Sequence, residues 1–245
     1  MNAQNLPRTC VIAGVGPGLG ASLARRFARE GCRIGLLARS AQYLKTLAGE
    51  LNDAYDAEIS FGVECDLSKP DQIASAFAKV REKMGPVDVL INHASGGGGP
   101  RGASFLDLAP SVFEQAWRVG TFAALLCSRE AGRDMLATGG GTIIFSGATS
   151  SVRGSAVAFS SAKFATRGLA QSLTRELWPQ GVHVAHVIID GIIGDSTDAP
   201  YENSGEEPET HPDAIAETYW QLVRQERSSW TLELDLRPNR EKFFE

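Results

Sequence analysis

The stretch Gly14-Val15-Gly16-Pro17-Gly18-Leu19-Gly20 lies between a short apolar run and an amphipathic segment, and it decides the fold. The apolar run, Thr9 to Ala13, has the length and composition of a buried β-strand. In the following segment apolar residues recur every four positions, which predicts a helix over Gly18 to Glu30 with one face on a sheet. A glycine-rich turn between a strand and a helix lets a phosphate approach the helix N-terminus. We therefore expect a nucleotide-binding turn, with a tight structural turn as the alternative.

Strand-length apolar runs alternate with helical periodicity along the rest of the chain. This pattern predicts a parallel sheet covered by helices on both faces. We expect strands at Thr9–Ala13, Arg33–Leu37, Ile59–Val63, Val87–Ile91, Thr142–Ser146, Val182–Ile188 and Trp230–Leu236. We expect further helices at Gln42–Leu51, Asp71–Lys83, Val112–Leu136, Val157–Leu177 and Asp213–Gln225, with Asp71 and Ser111 as helix starts.

The length and composition of the chain favour one compact domain over residues 1–245, because no segment has the composition of a linker. No apolar run reaches the roughly 20 residues needed to cross a bilayer, so we expect a cytoplasmic protein. The net charge of −5 comes without a basic block, which argues against a nucleic-acid partner and favours a small molecule. The cysteines show no metal-ligand or disulfide spacing, and we expect buried thiols at Cys10, Cys32, Cys65 and Cys127.

A second motif lies in the carboxyl-terminal half. The run Phe159-Ser160-Ser161-Ala162-Lys163 has the Tyr-x-x-x-Lys spacing without the hydroxyl, and Ser146 ends an apolar run upstream. Together with the glycine-rich turn, this resembles the short-chain dehydrogenase/reductase family, roughly from Thr9 to Leu236. The resemblance implies an α/β fold: a three-layer, doubly wound parallel sheet, or Rossmann fold, in a single domain.

The end of the second predicted strand bears on the choice of cofactor. A protein selecting NAD places an acidic residue about 20 residues past the glycine-rich turn. This chain has Ala38-Arg39-Ser40 there, and the Arg39 guanidinium and Ser40 hydroxyl are suited to a 2′-phosphate. We therefore predict NADP(H) in preference to NAD(H); the alternative is that Arg39 is a solvated surface residue.

The resemblance extends the cofactor site along the strand ends. It implies that Asp66 lies beside the adenine and that Asn92 ties neighbouring strands together near the ribose. His93 takes the position of a second Asn, and a lone loop histidine is more often satisfied locally than chemically active. The expected cofactor-binding residues are Gly14, Gly16, Gly18, Leu19, Gly20, Arg39, Ser40, Asp66, Leu67, Asn92, Ala94, Ser95, Lys163, Gly191 and Ile193.

The catalytic group implied by the resemblance is Ser146, Phe159 and Lys163, with Phe159 at the position of the proton-donating Tyr. The family's Asn is replaced by Gly120. Three outcomes stay open: carbonyl reduction with another donor, such as water, Ser160, Ser161 or Tyr201; a substrate that needs no protein acid; or NADPH binding without turnover, as a sensor or structural subunit. We favour an oxidoreductase acting on a carbonyl or alcohol compound.

The substrate side is less defined. The composition of the segment Gly194 to His211 predicts a flap whose acidic residues face water. We interpret Asp190 as a surface turn residue, with substrate contact as the alternative. Phe145, Val152 and Phe159 indicate a partly hydrophobic small-molecule substrate. The resemblance also implies a homodimer or homotetramer built on the two long predicted helices, and no metal site is expected.

Overall fold

A seven-stranded parallel sheet with the order β3-β2-β1-β4-β5-β6-β9 forms the centre of the molecule. The computed structural model describes residues 9–97, 104–194 and 209–241. The strands of the sheet are β1 Thr9–Ala13, β2 Arg33–Ala38, β3 Ser60–Glu64, β4 Val89–Asn92, β5 Gly141–Ser146, β6 Val182–Ile189 and β9 Glu233–Leu236. A separate parallel pair joins β7 Ile192–Ile193 to β8 Glu209–Thr210.

Helices cover both faces of the sheet, as the sequence predicts. They are α1 Leu19–Arg29, α2 Ala41–Tyr55, α3 Pro70–Met84, α4 Pro110–Trp117, α5 Ala123–Thr138, α6 Val157–Leu177 and α7 Pro212–Val223. One apolar cluster joins α1, α2 and α7 to the sheet, and a second joins α3, α5 and α6 to the opposite face. The expected single-domain α/β Rossmann fold is therefore confirmed.

The strand order places the ligand-binding edge. The chain runs from β1 to β2 and β3 on one side and then returns to β4 on the other side of β1. The connections therefore diverge between β1 and β4, and open α/β sheets bind ligands at such a point, outside the carboxyl ends of the strands. The carboxyl ends of β1, β4 and β5 lie at this edge.

The predicted helix Val112–Leu136 is present, with a π-helical turn inside it. It begins at Pro110, in keeping with the preference of proline for the first helical turn, and a π-helical turn at Arg118–Phe122 separates α4 from α5. Thr166 Oγ1 donates to the Gly120 carbonyl at 3.2 Å, so that this carbonyl bonds to α6. Thr121 Oγ1 likewise donates to the Ala162 carbonyl at 2.9 Å. Hydrogen bonds to a neighbouring helix accompany the departure from α-helical geometry.

Other boundaries differ by a few residues. The third helix begins at Pro70 instead of Asp71, and the last strand is shorter than the predicted Trp230–Leu236. Trp230 stacks on the ring of His183, with 4.9 Å between the ring centroids. All four cysteines are buried and unbridged, in agreement with the sequence prediction.

Candidate active site

The glycine-rich turn passes from β1 into α1 and forms an open cradle. Gly14 has φ +102°, and a Cβ there would lie 2.6 Å from the backbone of Ala94, so the turn packs tightly against the end of β4. A Cβ on Gly16 or Gly18 would meet nothing within 4 Å, and both residues line a cavity. The absence of side chains thus leaves space in front of the helix N-terminus, which is where a pyrophosphate binds in such turns.

This first cavity, of about 620 Å³, follows the carboxyl ends of β1 to β4. It is large enough for an extended nucleotide. Most of the predicted cofactor residues line it: Gly14, Gly16, Gly18, Leu19, Gly20, Arg39, Ser40, Asp66, Leu67, Ala94, Ser95 and Ile193. Lys163 and Gly191 line a neighbouring cavity instead, and Asn92 lies beneath the floor near α5.

Arg39 and Ser40 stand at the far end of the first cavity, where β2 meets α2. Both are exposed, and the Ser40 hydroxyl accepts a hydrogen bond from the Tyr43 backbone amide at 3.3 Å. As the N-cap of α2, Ser40 uses its oxygen as an acceptor, and its hydroxyl proton remains available to donate. A cationic side chain and a hydroxyl donor therefore face the same part of the cavity.

Asp66 is the carboxylate of this region. Hydrogen bonds from the side chain and backbone of Ser68, at 2.8 and 3.0 Å, lower the pKa of Asp66 below its ordinary value, against the opposing effect of desolvation. The ionised carboxylate is thus held in a turn beside the cavity.

Asn92 makes a different connection from the one expected. Its Nδ2 donates to Ser128 Oγ on α5 at 3.1 Å, so the side chain ties β4 to a helix instead of to a neighbouring strand. Its Oδ1 is buried with no hydrogen-bond partner among the described residues. Backbone bonds from His93 and Ala94 to the Ala13 carbonyl join the strand ends.

A second cavity of about 420 Å³ adjoins the first. Ser146, Phe159 and Lys163 all line it, so the fold brings together the three residues that the sequence predicts to be catalytic. The two cavities share three residues, namely His93, Ser95 and Ile193. This shared wall is where a nucleotide in the first cavity and a small molecule in the second would meet.

Lys163 is buried at the base of the second cavity. Its Nζ donates to the Ser146 carbonyl oxygen at 2.7 Å and lies 5.5 Å from the centroid of the Phe159 ring. Desolvation lowers the pKa of Lys163 to about 8. The ammonium is therefore held close to the strand end and the aromatic ring, with a readily lost proton.

The Ser146 hydroxyl contacts α7 and the residue that follows β4. Its Oγ lies 2.8 Å from Tyr219 Oη on α7 and 3.1 Å from His93 Nδ1. Tyr219 is fully buried, and desolvation raises its pKa well above the ordinary value. Sequence reasoning missed Tyr219, because its place in the helical repeat of α7 is that of an ordinary core residue.

His93 borders both cavities, and it is neutral near pH 7. Desolvation first, and the nearby positive charge of Lys163 second, lower the pKa of His93 to about 4. The sequence presents this residue only as a departure from a family position, and the proximity to Ser146 depends on the pairing of β4 with β5.

The interpretation of Asp190 as a surface turn residue is wrong. Its side chain is 7% exposed, its Oδ2 accepts from Arg237 Nη1, and its Oδ1 accepts from Thr149 Oγ1. The β6–β9 pairing brings Arg237 over this carboxylate, which is why a local reading of Asp190-Gly191 missed the ion pair.

The two ends of the predicted flap lie side by side in the β7–β8 pair, where the Gly194 amide donates to the Thr210 carbonyl at 3.1 Å. Tyr201 and the acidic residues of the flap other than Glu209 lie outside the described residues.

Two further classes of site can be examined in residues 9–97, 104–194 and 209–241. No helix there combines the length and apolar character that a membrane span requires. The same ranges contain no group of three His, Cys, Asp or Glu side chains arranged to hold a metal ion.

Comparison with known proteins gives a consistent result. The family model described as short chain dehydrogenase matches residues 8–202. A 3alpha-hydroxysteroid dehydrogenase of Mediterraneibacter gnavus is 28% identical over 180 residues, which cover 72% of this chain and 70% of that protein.

Solved structures agree over a greater length. A short-chain dehydrogenase from Rhodopseudomonas palustris is 33% identical, with a TM-score of 0.79 and coverage of 94% of this chain and 98% of that one. A metagenomic short-chain oxidoreductase in complex with NADP is 29% identical, with a TM-score of 0.79 and coverage of 95% and 97%. The chain belongs to the short-chain dehydrogenase family.

Proposed function

We propose that the protein is an NADP(H)-dependent oxidoreductase that interconverts a carbonyl and an alcohol on a partly hydrophobic small molecule. The observation that carries this proposal is the junction of the two cavities, with His93, Ser95 and Ile193 in the shared wall. The NADP bound to the metagenomic relative supports the same cofactor class. When bound, NADP(H) would supply or accept the hydride.

The cradle fits a dinucleotide. Gly16 and Gly18 leave open the volume that a Cβ would fill, and the N-terminus of α1 offers backbone amides to a pyrophosphate. Arg39 and Ser40 would hold the 2′-phosphate at the other end, because a guanidinium and a hydroxyl donor both favour that group. These features support NADP(H) over NAD(H).

Lys163 would bind the nicotinamide ribose, since it lines the second cavity and its stem is fixed by α6. Ser146 and Phe159 would complete the catalytic centre, Phe159 by packing beside the ring and Ser146 by hydrogen bonding. Two of the family's four catalytic positions are changed, with Phe159 in place of Tyr and Gly120 in place of Asn. A positioned acid contributes about 10² to 10⁴ in rate, so hydride transfer without the phenol would be slow unless another donor acts.

The outward faces of α4 and α6 support the proposed homodimer or homotetramer. Phe113, Trp117 and Phe164 are each about two-fifths exposed, and exposed aromatic groups of this kind favour a symmetric contact. We further propose a cytoplasmic location.

The test is a panel of aldehydes, ketones and enones with NADPH as the reductant. It compares the wild type, Phe159→Tyr, and Phe159→Tyr combined with Gly120→Asn. A Cβ on Gly120 would lie 3.6 Å from Ala162 Cβ, an ordinary contact, and thermal unfolding of the double variant checks that it is folded. Turnover by the wild type, lost in Lys163→Ala, supports the proposal. Turnover only in the repaired variants would favour the NADPH-binding sensor or structural subunit instead.

A further inference from the structure

His93 lines both cavities and also contacts the buried hydroxyl pair of Ser146 and Tyr219. Its Nδ1 lies 3.1 Å from Ser146 Oγ, and Ser146 Oγ lies 2.8 Å from Tyr219 Oη. Since Nδ1 is engaged by Ser146, Nε2 is the ring nitrogen that a ligand at the junction can approach.

The order of acidity fixes the direction of this chain of hydrogen bonds. A phenol is a stronger acid than an aliphatic alcohol, and a neutral imidazole nitrogen is a better acceptor than a phenol oxygen. This order of acidity favours donation from Tyr219 to Ser146 and from Ser146 to His93 Nδ1. The reverse order would place the weaker donor and the weaker acceptor together in a buried setting, where hydrogen-bond strength matters most. The favoured order leaves the imidazole proton on Nε2.

We propose that His93 is the catalytic proton donor to the substrate oxygen, in place of the phenol that Phe159 lacks, and that Ser146 and Tyr219 are positioning residues that hold its Nε2–H tautomer. This inference rests on the proposed function, because it assigns a group within the same reaction. Phe159 offers no hydroxyl on the α6 side of the second cavity, and Lys163 Nζ on the same helix is bonded to the Ser146 carbonyl, whereas His93 lines the cavity from the end of β4.

The proton and electron balance closes at the junction of the two cavities. The carbonyl carbon would accept a hydride, which bound NADPH would supply, while its oxygen takes the proton from His93 Nε2. Water in the cavity then returns a proton to Nε2, while Ser146 and Tyr219 keep their protons and hold the ring. One solvent proton is therefore consumed for each alcohol formed. The neutral resting state of His93, with its pKa lowered to about 4 by desolvation and by Lys163, agrees with this role.

The first test uses the free protein and needs no substrate. Nitrogen-15 NMR of labelled histidine, with the His93 signal assigned by its loss in His93→Asn, reports which ring nitrogen carries the proton. We expect the Nε2–H tautomer in the wild type, a shift toward a mixture in Tyr219→Phe, and no change in Tyr43→Phe, a matched phenol deletion on α2. An Nδ1–H tautomer, or a His93 signal unaffected by Tyr219→Phe, would overturn the inference.

The second test separates the inference from the proposed function. NADPH affinity is measured by fluorescence titration together with kcat on any carbonyl that the wild type reduces. We expect His93→Asn to lower kcat by about 10² or more, with a much smaller effect on NADPH affinity. We expect His93→Gln, whose amide nitrogen reaches nearer to the Nε2 position, to retain more activity. Full kcat in His93→Asn would refute the role of His93 alone. Absence of NADPH binding would instead refute the proposed function, and the tautomer measurement would still decide the arrangement of His93.

Discussion

Lys163 Nζ donates to the carbonyl oxygen of Ser146 at 2.7 Å, so the amine of α6 closes the end of β5. Desolvation by burial lowers the pKa of Lys163 to about 8. The bond ties the two elements that frame the second cavity, and it places a buried positive charge there.

The buried amine predicts a pH dependence of stability. Because the folded-state pKa lies below the ordinary value, the unfolded chain binds more protons between about pH 8 and 10.5, and the destabilising effect of the buried charge is lost as the pH rises through that window. Lys163→Met abolishes this term. We expect the free energy of unfolding of Lys163→Met, relative to wild type, to fall by about 2 kcal/mol between pH 7.5 and 9.5. Denaturant unfolding at the two pH values measures it, and a constant difference would contradict it.

Substitutions at Gly16 and Gly14 should have different effects, the first on nucleotide binding and the second on stability. A side chain at Gly16 enters open space in the cavity, so Gly16→Val should abolish NADPH binding while the free energy of unfolding changes by less than about 1 kcal/mol. Gly14→Ala should destabilise the protein, because its Cβ would lie 2.6 Å from the Ala94 backbone at a φ of +102°. Fluorescence titration and thermal unfolding of both variants provide the comparison. Unimpaired binding in Gly16→Val would place the nucleotide elsewhere.

Arg39 carries the predicted preference for the phosphorylated cofactor. Arg39→Ala should weaken NADPH binding by about 10- to 100-fold, the range expected for a lost charge-assisted contact, and leave NADH binding nearly unchanged. Lys45→Ala, an exposed charge deletion on α2, serves as the control for net charge. Equal losses for NADPH and NADH would show that Arg39 does not contact the 2′-phosphate.

The buried pair of Asp190 and Arg237 should matter for stability. Asp190→Asn leaves the Arg237 guanidinium without its buried partner, and we expect a loss of about 3 kcal/mol in the free energy of unfolding. Asp235→Asn, which alters a more exposed partner of the same arginine, should cost less than about 1 kcal/mol. Equal effects of the two substitutions in urea unfolding would contradict this assignment.

The sequence predicted correctly the elements whose formation depends mainly on neighbouring residues. The bounds of β1 and α6 agree with the structure to the residue, because a continuous apolar run and a 3.6-residue repeat depend on neighbouring positions. The glycine-rich turn and Arg39 also lie together in one cavity, as expected from their spacing.

The features that the sequence did not predict are contacts between residues that lie far apart along the chain. Ser146 and Tyr219 are 73 positions apart, and their hydrogen bond depends on how α7 packs against the sheet. Asp190 pairs with an arginine 47 positions away through the β6–β9 register, and the π-helical turn around Gly120 accompanies hydrogen bonds from Thr166 on another helix. Neither a turn pattern nor a helical repeat contains this information.

The most direct test of the account is a calorimetric titration of the wild-type protein with NADPH and, separately, with NADH. We predict one site per chain for NADPH, tighter binding of NADPH than of NADH, and loss of that site in Gly16→Val. No heat of binding for either nucleotide, in protein shown to be folded, would contradict the account.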